Sequence, residues 1–401
     1  MEGCDGTYGG EPGDLTIRRY RRFASGGAGL LWFEATAVTG DARANPRQLF
    51  LNWENFSGFQ RLLETARNEA VKRFGEDTKP FTILQLTHSG RYSRPVSEPR
   101  PIIEVYNPYL PMPDASTCRI ITDSELESLE DIYVEAALMA GELGFDAVDI
   151  KSCHRYLISG LLGAHLREGP YGGDFEGRTR FLLNIVDKIN QASKGTVSVA
   201  VRLNVYDAIP YPYGWGVDEK DHRRPDLFEP VRLVRLLSKH GVRLVNITAG
   251  NPYYNPHVNR PYDTGPYVPV EHPLEGVARM ITFARDVKRA VPKVTVVASG
   301  FSWLREFGAA VAAGCMREGW FDIAGFGRQA FAYPDFAADI LDGGGMKRKR
   351  CCIACGKCSE IMRRGGTTGC VIRDSGLYAP IYQELSEGKP SLVSHHVAEH
   401  V

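Results

Sequence analysis

Short apolar runs alternate with amphipathic stretches along most of the chain. The apolar runs have the length of β-strands, and the stretches between them carry apolar residues at helical spacing. The predicted strands are Gly29–Val38, Phe81–Leu86, Phe145–Ile150, Val197–Leu203, Val242–Thr248, Val294–Ala298 and Phe321–Ala324. The predicted helices are Leu15–Ser25, Asn55–Arg73, Asp123–Leu143, Thr179–Ser193, Leu227–His240, Gly276–Val291, Phe301–Ala313 and Pro334–Leu341. This alternation indicates βα units and a parallel sheet.

Each predicted strand follows a helix, whereas a (β/α)8 barrel has eight strands and starts with one of them. We therefore predict a TIM (β/α)8 barrel whose first strand lies before Met1, because of a misassigned start or a truncation. The alternative is a genuinely seven-stranded or rearranged barrel. A length of 401 residues accommodates a barrel over residues 1–345 and a small C-terminal segment over residues 346–401. Asp123 is the predicted N-cap of the third helix.

The composition is that of an ordinary globular protein, with 48 basic and 48 acidic residues. A formal net charge of zero provides no electrostatic argument for binding nucleic acid or a membrane surface. The N-terminal residues lack the basic and apolar regions of a secretory signal, so we expect a cytoplasmic protein.

Two long segments, residues 88–120 and 206–226, interrupt the pattern and are rich in Pro, Tyr, Asp and Gly. Each follows a predicted strand, which places it at the C-terminal face where the active sites of barrels are built. Segments of this length in a compact domain are usually functional. Active-site residues are therefore expected in or beside them.

Polar side chains follow the third predicted strand, at Lys151, His154 and Tyr156. Groups at the C-terminal end of a barrel strand are typical of catalytic residues. The alternative is a solvated lysine beside a tyrosine ring packed within the loop.

Later strands carry candidates for binding an anionic cofactor. Arg202 lies within an apolar strand and needs an anionic or polar partner, since a buried unpaired charge is costly. A flavin or a structural carboxylate would satisfy it. Gly300, Gly327 and Arg328 follow the last two strands, where barrels commonly bind phosphate.

Five of the nine cysteines fall between residues 351 and 370. In a cytosolic chain such crowding favours metal or cluster ligation over disulfides. The candidate ligands are Cys352, Cys355, Cys358 and Cys370, with Cys351 as an alternative to Cys352. Their spacing leaves a cubane iron–sulfur cluster and a structural zinc ion both open.

Several of these motifs together resemble the Old Yellow Enzyme family, from Met1 to about Asp374. Within it they look most like the cluster-bearing branch that contains 2,4-dienoyl-CoA reductase and trimethylamine dehydrogenase. The stretches that carry the resemblance are Tyr20–Val38, Gln85–Arg91, Gly144–Tyr156, Glu168–Phe181 and Gly325–Phe336. The resemblance favours a 4Fe–4S cluster over zinc, although the family's usual third cysteine spacing is one residue longer.

The resemblance implies FMN held non-covalently at the mouth of the barrel. Residues in the matching positions would bind it through the pyrimidine edge, the N1/O2 region and the phosphate. They are Met1, Ala35, Gln85, Arg202, Gly300, Gly327 and Arg328. Met1 corresponds to the second residue of a Pro-Met pair that lies beside the flavin in the family.

The resemblance also implies an ene-reductase in which hydride leaves FMN N5 and Tyr156 supplies the proton. Lys151 and His154 stand where the family usually has His/His or His/Asn, so a carboxylate or a more charged acceptor becomes attractive. Further candidates for binding substrate are Tyr253, Tyr254 and His257. The aromatic-rich loops favour a planar apolar substrate.

The electron donor would be NAD(P)H directly, or a separate flavoprotein or ferredoxin acting through the cluster. Two other interpretations remain open at this stage. One is an amine dehydrogenase of the trimethylamine dehydrogenase type. The other is a non-catalytic electron-transfer or zinc-stabilised subunit.

Overall fold

The computed structural model describes residues 2–110 and 117–388. Within these ranges a seven-stranded parallel sheet is the core of the molecule. Its strands, in their order across the sheet, are β1 (Leu30–Ala37), β2 (Phe81–Thr87), β5 (Ala147–Ile150), β6 (Ser198–Asn204), β7 (Leu244–Thr248), β8 (Thr295–Ala298) and β9 (Ile323–Ala324). A second small parallel pair is formed by β3 (Ile102–Ile103) and β4 (Arg119–Ile120). The predicted barrel-type α/β fold is confirmed, with the seven strands in their predicted order.

Helices connect and cover these strands. They are α1 (Asp14–Ala24), α2 (Phe56–Phe74), α3 (Asp123–Leu143), α4 (Leu157–Leu162), α5 (Phe175–Ser193), α6 (Phe228–Lys239), α7 (Pro256–Asn259), α8 (Pro273–Ala290), α9 (Gly308–Arg317), α10 (Arg328–Ala332), α11 (Phe336–Leu341), α12 (Lys357–Arg363) and α13 (Ser375–Ser386). Short 3-10 helices cover Glu76–Thr78, Gly90–Tyr92, Phe301–Phe307 and Arg348–Arg350. None of the helices in the described residues has the length and apolar character that a membrane span requires.

Capping groups decide where the helices begin, and they correct two predictions. The N-cap of α3 is Thr122, one residue before the predicted Asp123, because its side chain and that of Glu125 form a capping box. The helix predicted from Thr179 begins at Phe175, since Asp174 accepts a hydrogen bond from the Gly177 amide.

The helix predicted over Phe301–Ala313 is wrong as one element. A 3-10 helix occupies Phe301–Phe307, and a separate helix begins at Gly308. Arg305 breaks the pattern because its backbone has φ 52° and ψ −126°, outside the helical region. Apolar spacing alone does not reveal such a kink.

The two ends of the sheet approach each other through helices and loops. In the described residues β1 pairs only with β2, and β9 only with β8. Across this gap the Ala338 amide donates to the Gly26 carbonyl at 2.9 Å, and Arg73 forms an ion pair with Asp335 at 2.8 Å. Met1 lies outside the described residues, and the strand expected before it stays a prediction.

The C-terminal segment packs against the N-terminal residues as well as against itself. Its own small core consists of Ile361, Val371, Tyr378 and Ile381. The Cys4 amide donates to the Thr368 hydroxyl at 3.0 Å, and Arg18 forms an ion pair with Asp374 at 2.8 Å. These contacts attach the cysteine-rich segment to the start of the barrel.

Candidate active site

The turn after β5 is fixed between its neighbouring strands. The Lys151 amide donates to the Leu86 carbonyl at 3.1 Å, and the Ser152 amide donates to the Arg202 carbonyl at 2.9 Å. His154 and Arg155 then adopt left-handed backbone conformations, with φ 65° and 59°. Such values are uncommon for residues with side chains, and they are found preferentially at functional sites. The turn delivers Tyr156 to the position before α4.

A buried ion pair holds this turn to the second long loop. Arg155 Nε lies 2.9 Å from Asp207 Oδ2, and both side chains are 1% exposed. Asp207 also accepts hydrogen bonds from the Ile209 and Trp215 amides, each at 3.0 Å. The loop over residues 206–226 is therefore tied to the segment that carries His154 and Tyr156.

Three tyrosines and one carboxylate meet at the end of β5. The Tyr156 hydroxyl donates to Glu2 Oε2 and lies 3.2 Å from the Tyr253 hydroxyl, which also donates to Glu2 Oε2 at 3.1 Å. The Tyr92 ring stacks on Tyr253 with centroids 3.9 Å apart. Asn251 Nδ2 donates to the Tyr92 hydroxyl at 2.7 Å. The structure thus brings Tyr156 and Tyr253 together, as the sequence suggested for both.

Electrostatics keep the Tyr156 phenol protonated. Burial raises the pKa of Tyr156 well above its usual range, and the Glu2 carboxylate raises it further. Burial followed by the Glu2 charge also raises the pKa of Tyr253 well above its usual range. A phenol in this state holds a proton that it can donate.

Lys151 lies against the same ring. Its Nζ is 3.4 Å from the centroid of Tyr156, and the residue is 4% exposed. Burial lowers the pKa of the Lys151 ammonium, whereas the charge of Glu2 opposes that shift. This position excludes the alternative of a solvated lysine.

His154 is neutral and has a fixed partner. Asn259 Nδ2 donates to His154 Nε2 at 2.9 Å, which leaves the ring proton on Nδ1. Desolvation, followed by the charges of Arg202 and Lys151, lowers the pKa of His154 well below its usual value. The imidazole can therefore act as a neutral hydrogen-bonding group.

Two other predicted substrate residues lie away from the tyrosines. His257 Nδ1 is 2.5 Å from the Tyr267 hydroxyl, and its Nε2 lies 3.9 Å from Glu271. Tyr254 is 36% exposed. The structure therefore does not bring His257 and Tyr254 to the Tyr156 hydroxyl.

The polar residues along the neighbouring strands form a second group. Ala35 is fully buried and is opposite Gln85 across the β1–β2 pair. Gln85 Nε2 donates to Asp149 Oδ2 at 2.5 Å, and Trp32 Nε1 donates to the same oxygen at 2.8 Å. Asp149 Oδ1 accepts from the Arg202 amide at 2.6 Å. Asp149 is thus engaged with the side chains of β1 and β2 and the backbone of β6.

Arg202 retains unused donor capacity. Its Nε is buried and has no hydrogen-bond partner in the described part of the chain. Burial raises the pKa of Asp149 above its usual value, and the charge of Arg202 is one of several influences that oppose this rise. A half-buried guanidinium whose buried Nε–H has no partner fits an anionic or polar ligand better than a purely structural role.

A second cationic corner lies after β8 and β9. Arg328 Nη1 is buried and has no hydrogen-bond partner among the described residues. The space beside Gly327 is open, because no heavy atom lies within 4 Å of the position that a Cβ atom would take. Gly300 has φ 106°, a conformation that favours glycine. Arg260 lies near Arg328, and burial together with the charges of Arg328 and Arg363 lowers the pKa of Arg260 to about 10. Two arginines close enough to influence each other's pKa suit an anionic group such as a phosphate.

The four predicted cysteine ligands line one pocket. Its other walls include Arg328, Lys357 and Arg373, together with apolar and backbone groups, but no carboxylate. Backbone amides approach two of the sulfurs, from Ala354 to Cys352 at 3.4 Å and from Arg373 to Cys370 at 3.3 Å. The ligand candidates that share this pocket are Cys352, Cys355, Cys358 and Cys370.

Cys351 has a different environment. It is fully buried in a separate small apolar cluster with Tyr333, Phe336 and Met346. Its thiol donates to the Lys347 carbonyl at 3.4 Å. In the described ranges no three or more His, Cys, Asp or Glu side chains are arranged to hold a single metal ion.

Sequence reasoning missed Glu2, Tyr92 and Arg260. Glu2 follows Met1, which had been placed beside the cofactor, and Tyr92 directly follows the Gln85–Arg91 motif. Each of the two residues could have been found from the sequence, because it is adjacent to a position that the family resemblance identified. Arg260 had no comparable signal, because only the fold brings it next to Arg328.

Comparison with known proteins places the chain among flavin enzymes. The model of the NADH:flavin oxidoreductase / NADH oxidase family matches residues 7–343. The chain is 27% identical over 301 residues to an NADH:flavin oxidoreductase of Gibberella zeae, covering 68% of this chain and 65% of that protein. It is 26% identical over 382 residues to an NADH oxidase of Thermoanaerobacter brockii, covering 92% and 52%. The chain thus spans about half to two thirds of the length of these relatives.

Solved structures share the fold. A 2-naphthoyl-CoA reductase in complex with 2-naphthoyl-CoA superposes with a TM-score of 0.74 at 21% identity, covering 92% of this chain and 53% of that one. Histamine dehydrogenase from Rhizobium sp. 4-9 gives a TM-score of 0.69 at 18% identity, covering 89% and 47%. The parallel sheet, the motifs at its strand ends and the family match over most of the chain lead to one conclusion: the chain belongs to the NADH:flavin oxidoreductase / NADH oxidase family, to which Old Yellow Enzyme is related.

Proposed function

We propose that the protein is an FMN-dependent ene-reductase that reduces the C=C bond of an α,β-unsaturated carbonyl or carboxyl compound. The observation that carries the proposal is the buried Tyr156 phenol, which is kept protonated beside the cationic Lys151. A proton donor next to a cation matches a reaction that needs a proton at one carbon and stabilisation of charge on an oxygen.

The residues present fit FMN. Arg202 and Arg328 each have a buried N–H group without a partner in the described chain, and Gly327 leaves open space beside Arg328. Arg202 would bind the N1/O2 region, and Arg328 would bind the phosphate. Gln85, Ala35, Gly300 and Gly327 would complete the site, and Met1, outside the described residues, retains its proposed place there. When bound, FMN supplies the hydride, and the family implies NAD(P)H as a source of electrons.

The residues of the chain itself handle the proton and the substrate oxygen. Tyr156 holds the proton that reaches the α-carbon. Lys151 places positive charge where the carbonyl or carboxylate oxygen develops negative charge. His154, neutral and anchored by Asn259, is a further hydrogen-bonding group. A free carboxylate acceptor suits Lys151 better than a simple enone does.

Aromatic side chains favour a planar substrate. Tyr92 and Tyr253 form a stack next to Tyr156. Tyr109 and Tyr213, from the two long loops, meet edge to face at 5.8 Å, and Tyr109 is 41% exposed. Tyr253 is proposed to contact the substrate from this side. The roles of Tyr254 and His257 stay predictions, since the structure does not bring them to the Tyr156 hydroxyl.

The test separates the two half-reactions by stopped-flow absorbance. Tyr156→Phe should slow reoxidation of the reduced flavin by an unsaturated acid or ketone by about 10²- to 10⁴-fold, the range of general acid catalysis. Reduction of the flavin by NAD(P)H or dithionite should stay normal. Tyr8→Phe, at a side chain that is 77% exposed, is the matched control. Unchanged reoxidation in Tyr156→Phe would remove the proton-donor role, and a panel of alkenes without any reoxidation would remove the ene-reductase function.

An amine dehydrogenase is the second candidate, because Tyr92, Tyr156 and Tyr253 could surround a cationic amine. However, the face of Tyr156 is already covered by the Lys151 ammonium at 3.4 Å. A second cation there would be repelled. Reduction of the flavin by an amine such as trimethylamine or histamine would favour this candidate over the first.

We further propose a 4Fe–4S cluster in the C-terminal segment, as part of a division into a barrel over 1–345 and a cluster segment over 346–401. The pocket residues support it, because a cluster held by thiolates is anionic and Arg328, Lys357 and Arg373 line the same cavity. A structural zinc ion held by the same four thiolates is the alternative. Iron and acid-labile sulfide assays on purified protein decide between them, and zinc without iron would refute the cluster.

The electron donor that would use the cluster is a separate flavoprotein or ferredoxin, which would pass electrons through the cluster to FMN. Arg328 lines the cysteine pocket and also lies at the proposed phosphate site, so the proposed cluster and FMN sites share this residue. Reduction of FMN by a reduced ferredoxin in wild-type protein, with loss of that reaction in Cys358→Ser, would support this route. Equal rates in both proteins would leave direct reduction by NAD(P)H.

A further inference from the structure

The carboxylate of Glu2 lies where a proton could reach Tyr156. Glu2 Oε2 accepts hydrogen bonds from Tyr156 and from Tyr253, and the two hydroxyls are 3.2 Å apart. Three oxygen atoms are thus within hydrogen-bonding distance of one another. The other carboxylate oxygen, Oε1, is buried and has no partner in the described residues.

Neither of the other charged or titratable neighbours makes such a contact. Lys151 Nζ lies over the face of the Tyr156 ring. His154 Nε2 is occupied by Asn259. In the described chain, the hydrogen bonds of the Tyr156 hydroxyl go to Glu2 and Tyr253.

The proposed reaction requires a group that returns a proton to Tyr156. The alkene gains a hydride at the β-carbon and the Tyr156 proton at the α-carbon, which leaves Tyr156 as a phenolate. Tyr156 is 2% exposed, so bulk water does not reach it freely. The proton must come back through a neighbouring group before the next turnover.

We propose that Glu2 is a proton-relay and positioning residue, which orients the Tyr156 hydroxyl and returns a proton to it after each turnover. A proton from solvent binds the Glu2 carboxylate, and the resulting carboxylic acid donates to the phenolate directly or through the Tyr253 hydroxyl. The balance is one proton taken from solvent for each alkene reduced, with Glu2 again a carboxylate. This inference rests on the proposed ene-reductase function.

Glu2→Gln in the full-length, FMN-loaded protein tests the relay. The amide keeps the size of the side chain but cannot return a proton. The first turnover of pre-reduced enzyme should stay within about 3-fold of wild type, since Tyr156 begins protonated. Steady-state alkene reduction should fall by on the order of 10²-fold, the lower end of general acid–base effects. Formate added as a small carboxylic acid should restore part of the steady-state rate.

Two comparisons separate a relay from a structural role. Glu2→Asp retains an exchangeable carboxyl group and should recover part of the rate. Glu2→Gln combined with Tyr156→Phe should be no slower than Tyr156→Phe alone, because both act on one proton. Glu11→Gln, in the same N-terminal segment and away from the tyrosines, is the matched control and should behave as wild type.

The inference fails if Glu2→Gln has the steady-state rate of wild type, or if its effect multiplies with that of Tyr156→Phe. A second readout does not need turnover. Removing the Glu2 charge should lower the pKa of tyrosines in an ultraviolet difference titration. The change should be smaller in the Tyr156→Phe background and absent when Tyr253→Phe is added, since both hydroxyls contact Glu2. If wild type reduces no alkene but this titration behaves as stated, the proposed function fails while the Glu2–Tyr156 contact stands. If the titration shows no difference, the contact itself is refuted.

Discussion

Replacing Asp207 should both destabilise the protein and disturb the active site. Asp207 and Arg155 are each 1% exposed and form an ion pair at 2.9 Å. Burial raises the pKa of Asp207 above its ordinary value, although the Arg155 charge opposes that shift. The desolvation of the carboxylate is therefore not fully offset by its partner, as is common for buried pairs.

The magnitude follows from what each substitution leaves behind. Removing one member of a buried ion pair costs about 3–5 kcal/mol, because an uncompensated charge remains. Asp207→Asn keeps an acceptor for a backbone amide and should cost about 3 kcal/mol of unfolding free energy. Asp207→Ala also leaves the Ile209 and Trp215 amides without acceptors, at about 1–3 kcal/mol each, so it should be the worse variant.

Guanidinium unfolding followed by tryptophan fluorescence measures these costs. Trp215 is a suitable reporter, since it is buried and its Nε1 donates to the Asn204 carbonyl at 2.8 Å. Reoxidation of reduced flavin by alkene should slow in parallel, because Arg155 lies between His154 and Tyr156. Glu219→Gln, exposed in the same loop, should stay within about 0.5 kcal/mol of wild type.

A double-mutant cycle with Arg155→Met provides the sharpest check. The double variant should be less destabilised than the sum of the two single variants, because no unpaired charge remains. Additive losses, or an Asp207→Asn variant as stable as wild type, would show that the ion pair does not hold the loop to the turn.

The remaining predictions concern charge, cofactor and cluster. Because the pKa of Lys151 is lowered, its ammonium loses a proton at a lower pH than an ordinary lysine does. We expect kcat/KM for a carboxylate acceptor to fall as pH rises through that pKa. Lys151→Met should remove this alkaline decrease from the pH profile of kcat/KM. Arg202→Gln should weaken FMN binding by at least about tenfold, because a hydrogen bond to a charged group contributes about 1.5–3 kcal/mol and a tenfold change in affinity corresponds to about 1.4 kcal/mol. Quenching of FMN fluorescence measures the affinity, and an unchanged value would return Arg202 to a structural role. Cys358→Ser should lower the iron and sulfide content, whereas Cys351→Ser should not, and equal losses in both would contradict the separate environment of Cys351.

Much of the scaffold was predictable because local apolar spacing reflects burial. Strands such as Val197–Leu203 and Val294–Ala298 were displaced by only one residue from their observed bounds. The parallel order followed from the alternation of strands and helices, since a helix returns the chain to the same end of the sheet. Strand ends then identified Lys151, His154 and Tyr156 as neighbours, because a parallel sheet presents all its C-terminal ends on one face.

The tertiary structure decided what those residues touch. The helical pattern across Phe301–Ala313 did not reveal the break at Arg305, which depends on one backbone conformation. His257 stands in the right region of the chain, yet its ring faces Tyr267 and Glu271. Glu2 contacts Tyr156, 154 positions away, only because the fold brings the N-terminal residues to the turn after β5. The spacing of apolar residues along the chain indicates which faces of helices and strands are buried. Contacts between side chains that are distant in sequence depend instead on the paths of the loops, because the packing of the whole molecule sets those paths.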